Sequence, residues 1–149
     1  MILSITYLEF EAACLRETDK HIRMEYISPA SVHITYPIGY DNELPILAPA
    51  DRIFRFDAAV TVMPDNAIRL TLLYPTDIIS EIALHLCSRI NRFIGEMNNA
   101  TYIHFIDYED GDYIFRFDRV PKIGKLLQFI RLQQITFTET QLLIQFQYV

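Results

Sequence analysis

Residues 75–97 read PTDIISEIALHLCSRINRFIGEM, and the spacing of their apolar side chains decides how the rest of the chain must be arranged. Ile78, Ile79, Ile82, Leu86, Ile90, Phe93 and Met97 recur at steps of three and four, the repeat of one face of an α-helix. That face is expected to be buried. Ala83, Cys87 and Ile94 widen the apolar arc to about half the circumference, more than a surface helix uses, so a sheet curved around the helix is expected. Glu81, His85, Arg89, Arg92 and Glu96 form a charged edge, with Glu81 and His85, and Arg92 and Glu96, at the i,i+4 spacing that lets side chains meet. Thr76 suits the N-cap, Asp77 the first turn, and Asn98 and Asn99 a left-handed stop.

Working outward, nearly everything else reads as strand. Ile2–Leu15 alternates Leu8, Phe10 and Ala12 against Glu9 and Glu11, a half-buried strand. After a polar turn at Arg16–Lys20, Ile22, Met24 and Tyr26 continue as its hairpin partner. Ser28-Pro29 interrupts, and Val32, Ile34 and Tyr36 resume the ladder. Arg52–Met63 and Ala67–Tyr74 form a hairpin about Pro64-Asp65-Asn66. Phe54, Phe56, Ala58, Val60 and Val62 share one face of its first strand, and Arg55, Asp57, Thr61, Arg69 and Thr71 give the pair a solvated face.

Beyond the helix, Asp110-Gly111 is the strongest hairpin signal in the chain. A two-residue loop there sets Tyr108 opposite Tyr113, Ile106 opposite Phe115 and His104 opposite Phe117, with Asp107 diagonal to Arg116. Pro121–Arg131 reads as a short helix, and Gln134–Thr138 with Leu142–Val149 as a final hairpin about Glu139-Thr140. The fold expected is α+β in a single domain over residues 1–149: a curved, mainly antiparallel sheet of about 7–9 strands packed around one long helix, with a second short helix. By order of elements it resembles helix-grip and tubular lipid-binding modules, an analogy of architecture alone.

Residues 51–57 and 112–118 both read D-x-I-F-R-F-D. Either a duplicated half or two strands with the same Phe-in, Arg-out need would produce this.

Composition removes several function classes. A hydrophobic content of 51% with 10 Phe and 9 Tyr excludes disorder, and a net charge of -6 with scattered Lys and Arg argues against nucleic acid or an anionic membrane as partner. The amino terminus lacks the basic start of a signal peptide, and no apolar run reaches the roughly 20 residues of a membrane span. Cys14 and Cys87 read as reduced thiols, which places the protein in the cytoplasm.

Catalytic motifs are absent: no G-x-S-x-G, no Gly-rich phosphate loop, no C-x-x-C and no H-E-x-x-H. No cofactor or metal is expected, since the acidic turn Asp107, Glu109, Asp110, Asp112 is explained as a hairpin turn and not as a calcium loop. His104 with Asp107 or Asp118 is the one acid–base candidate, weakened because strand parity turns His104 and Asp107 to opposite faces.

The leading expectation is a non-enzymatic module binding an apolar small molecule or lipid between helix and sheet, lined by Phe54, Phe56, Ile82, Leu86, Phe93, Phe115 and Phe117. The Pro-rich stretch 38–50 carries Leu44, Ile46 and Leu47 as a lid or docking loop, or simply packs over one end of the core. The alternative is a protein-interaction or homodimerising module using a sheet face or the edge strand Leu142–Val149.

Overall fold

The computed structural model describes residues 1–18, 21–37, 53–73 and 77–149. The chain is α+β. Its elements are β1 (Ile2–Thr6), α1 (Tyr7–Thr18), β2 (Arg23–Ser28), β3 (Ser31–Pro37), β4 (Ile53–Met63), β5 (Ala67–Leu73), α2 (Asp77–Met97), β6 (Ile106–Glu109), β7 (Asp112–Arg116), α3 (Pro121–Leu126), β8 (Ile130–Phe137) and β9 (Gln141–Tyr148). A 3-10 turn, Phe117–Arg119, joins β7 to α3.

Among the described residues the strands form two antiparallel sheets where one curved sheet was expected: six strands in the order β2-β3-β4-β5-β7-β6, and three in the order β1-β9-β8. In the large sheet the register sets Val32 opposite Ala58, Ile34 opposite Phe56, Val60 opposite Leu70 and Leu70 opposite Tyr113, so one face is apolar throughout. Asp65 and Asn66, with φ of 65° and 58°, close β4 onto β5, and Asp110 and Gly111, with φ of 52° and 84°, close β6 onto β7. These are left-handed positions that Asn, Asp and Gly tolerate best. The sequence pairs Tyr108 with Tyr113 and Ile106 with Phe115 are realised, but β7 leaves the ladder after Arg116, so His104 does not meet Phe117 across it.

Two apolar clusters cover the large sheet. Ala58, Leu72, Phe105, Ile106, Tyr113 and Val120 form the first, against which Ala83, Cys87 and Ile94 of α2 pack. Tyr7, Val32 and Phe137 form the second, with Met24, Val60 and Leu142, and Ile34 touches both. The small sheet reaches the large one at its turns. The Leu132 amide donates to Asn66 Oδ1 (2.8 Å) at the β4–β5 turn, and the Phe137 amide to the Pro29 carbonyl (2.8 Å) at the β2–β3 turn.

Three expectations are corrected. Ile2–Leu15 is not one strand: β1 ends at Thr6 and α1 begins at Tyr7. A capping box stops it, since the Glu9 amide donates to Thr6 Oγ1 (3.1 Å) and the Thr6 hydroxyl to Glu9 Oε1 (2.9 Å). β1 therefore pairs with β9, not with β2. The final strand, expected at an edge, is the middle of its sheet. The short helix ends at Leu126, and β8 starts at Ile130, inside the helical window read from sequence.

The two D-x-I-F-R-F-D segments lie in β4 and β7, separated by β5, as far as residues 53–57 and 112–116. The first continues as strand to Met63, while the second turns off at Phe117.

Candidate functional site

Helix α2 carries the chemistry that distinguishes this surface. The face it turns to the sheet carries Ile94 and several smaller groups. Ala83 and Cys87 pack on the first cluster, Gly95 is buried, and Asn91 is 3% exposed. Asn91 takes the place of a neighbouring strand: its Oδ1 accepts from the Ile106 amide (2.7 Å) and its Nδ2 donates to the Ile106 carbonyl (3.0 Å). A Cβ on Gly95 would lie 2.7 Å from the Tyr102 backbone, so glycine is what lets the loop after the helix return so closely.

With this face docked, three large side chains of the expected buried face are left outside. Ile90, Phe93 and Met97 are 39%, 55% and 59% exposed, and Leu86 is half-buried. This overturns the burial expected for Ile90, Phe93 and Met97 and takes Phe93 out of the proposed pocket lining. The physical reason is that a wide apolar arc offers two possible docking faces, and the one with smaller side chains permits the closer approach of helix and sheet. Leu86, Ile90, Phe93 and Met97 remain as an outward stripe at steps of four, three and four, beside Arg89 and Glu96.

Three of the other expected lining residues come together in the core under α2. Phe56, Phe115 and Phe117 pack on the first cluster, where Phe115 and Phe117 meet the Phe105 ring edge-on with centroids 5.7 and 5.3 Å apart. Phe54 is half-buried in β4. Leu44, Ile46 and Leu47, and the side chain of Ile82, lie outside the described residues.

His104 is exposed, its ring edge-on to Tyr102 at 4.8 Å, and its imidazole has no hydrogen-bond partner among the described residues. Asp107 is held instead by Arg116 Nε (2.8 Å) and Arg119 Nη1 (3.0 Å). Burial pushes its carboxyl upward, but hydrogen bonds and charge from the two guanidinium groups outweigh this and hold it below the usual carboxylate range. Arg69 similarly takes Asp112 (2.9 Å). These pairs flank Ile114, which is fully buried on the sheet face expected to be wet.

The pairing that sequence reading missed is His33 Nδ1 with Asp57 Oδ1, 2.6 Å apart across β3 and β4. Only the register could reveal it, since the two residues are far apart in the chain. It orients an imidazole as acid–base catalysis requires, yet it lies among strand side chains on the sheet's polar face with no nucleophile bonded to it among the described residues. Neither cysteine is in a disulfide, and burial alone pushes the Cys87 thiol up to about 12, which makes it a poor nucleophile at neutral pH.

A cavity of about 260 Å³ lies between α1 and the start of β2, lined by Leu8, Glu11, Ala12, Leu15, His21, Ile22 and Arg23. It is smaller than the roughly 300–1,000 Å³ typical of ligand sites, and the Glu11 carboxylate is already engaged by the Met24 amide (3.0 Å). Among the described residues no three His, Cys, Asp or Glu side chains gather as a metal site would need, and no helix is long and apolar enough to cross a membrane. In comparisons with known proteins, no family model, no curated protein and no solved structure matches the chain.

Proposed function

We propose that the protein is a non-enzymatic binding module that receives an apolar helical segment of a partner protein along α2. The observation that carries this reading is the outward stripe of Leu86, Ile90, Phe93 and Met97. Its spacing matches the i, i+4, i+7 anchors by which one helix recognises another. A small hydrophobic molecule needs a concave site that surrounds it, whereas a row of side chains along a helix is convex and suits an extended partner. That Cys14 and Cys87 form no disulfide supports work in a reducing compartment, the cytoplasm being the reading carried from composition.

Native mass spectrometry of the purified protein separates this from an interior-ligand reading. The expected result is a chain free of small molecules that binds a synthetic amphipathic Leu-rich helix, with affinity falling at least tenfold in Phe93→Lys. A stoichiometric apolar molecule that copurifies, and is retained by Phe93→Lys, would return the site to the interior.

A further inference from the structure

Among the described residues each sheet has two edges, and at three of these four some backbone groups are bonded by other parts of the chain. At β2 the Met24 amide donates to Glu11 of α1; at β6 Asn91 of α2 satisfies both backbone groups of Ile106; at β8 the Leu132 and Phe137 amides go to Asn66 and Pro29. The edge of β1 differs in bearing no charged side chain, where β2 carries Arg23 and Glu25, β6 Asp107 and Glu109, and β8 Arg131. Met1 and Phe146 exchange backbone hydrogen bonds in both directions, and the Tyr7 amide donates to the Thr140 carbonyl. By the alternation of an antiparallel ladder, Leu3 and Ile5 then also bond to β9, while Ile2, Ser4 and Thr6 direct their backbone groups away from it. The Thr6 amide is taken by Glu9, but the N–H and C=O groups of Ile2 and Ser4 have no partner among the described residues. Exposure agrees, with Ile2 at 64% and Leu3 at 48%.

We infer that β1 is the pairing edge for a second copy of this chain, joined antiparallel to its own β1 about a two-fold axis at Leu3. In that register Ile2 of each copy faces Ser4 of the other. The two free N–H groups and two free C=O groups of each strand are then consumed in reciprocal hydrogen bonds, with none left over. Leu3 meets its symmetry mate at the closely spaced, non-bonded position. The strand Ile-Leu-Ser-Ile-Thr bears no charge, so pairing it with itself brings no like charges together, and it lacks the Lys or Pro that commonly blocks an edge. The product is one six-stranded sheet, β8-β9-β1 continued by β1-β9-β8 of the second copy. So short a seam makes a weak dimer that forms with rising concentration. Nothing here depends on the α2 stripe.

Sedimentation velocity over a concentration series, with hydrogen exchange at the Ile2 and Ser4 amides, tests this. The average mass is expected to climb from monomer toward dimer as these two amides gain protection. Ile2→Lys, at a site exposed in the monomer, and Ser4→Pro, which removes an N–H unused in the monomer, should each weaken dimerisation at least tenfold while far-UV circular dichroism is unchanged. If Ser4→Pro disturbs folding, Ile2→Lys decides. A wild-type monomer up to millimolar concentration overturns the inference. So does a dimer that survives Ile2→Lys but is lost in Phe93→Lys, which would locate self-association on α2.

Discussion

At Cys87, burial without a charged neighbour sets the chemistry. The thiol lies on the docked face of α2 beside Tyr113, and both groups are pushed up to about 12, from ordinary values of 9.0 and 10.0, chiefly by burial. The unfolded chain sheds these protons near the ordinary values while the folded chain keeps them. Stability is therefore intact below pH 9.0 and falls as pH rises through about 12. Urea midpoints taken at intervals above neutrality should show this decline, and Cys87→Ala should flatten it. A thiol reagent at pH 8 should modify half-buried Cys87 far more slowly than an exposed cysteine, because little thiolate is present. The same scale holds the most legible detail that alternation concealed: Thr6-x-x-Glu9 is a capping box readable in the sequence, and it ends β1 where hydrophobic alternation alone carries the strand onward to Leu15.

Helix α2 separates two properties that a periodic sequence combines. Its existence follows from the repeat, and its bounds, Asp77–Met97, lie within the quoted stretch. Its orientation does not follow, because Ile90, Phe93 and Met97 obey the repeat as well as Ala83, Cys87 and Ile94 do. Close approach settles the matter at Gly95 and Asn91. Gly95→Ala tests this sharply. Helix propensity alone favours alanine by roughly 0.5–1 kcal/mol, but a methyl group 2.7 Å from the Tyr102 backbone must force the loop away. A net loss of about 2 kcal/mol is expected, read as a lower urea midpoint at constant m-value; a raised midpoint would show that the loop has room.

Taken whole, the molecule depends on the junction between its sheets. The Asn66 side chain bonds the β8 backbone while its own backbone sits at φ 58°, so one residue both makes the turn and ties the sheets together. Asn66→Gly keeps the turn and removes the tie, for an expected cost of about 1 kcal/mol. Asn66→Ala adds the left-handed penalty of about 1–2 kcal/mol. If the sheets fold as one unit, unfolding followed by far-UV circular dichroism and by tyrosine fluorescence should coincide in both variants, and separated transitions would show two independent units.

By itself the sequence determined the α+β class, the antiparallel hairpins at Pro64-Asp65-Asn66 and Asp110-Gly111, and the location of the long helix. These are set by local turn chemistry and by side-chain period, which act over a few residues. Tertiary structure alone decided that the strands divide into two sheets, that His33 meets Asp57, that Leu86, Ile90, Phe93 and Met97 face outward, and that β1 keeps an open edge. Each depends on which distant segments approach most closely. That is governed by side-chain volume and by the satisfaction of backbone hydrogen bonds across the whole chain, neither of which a periodic pattern records.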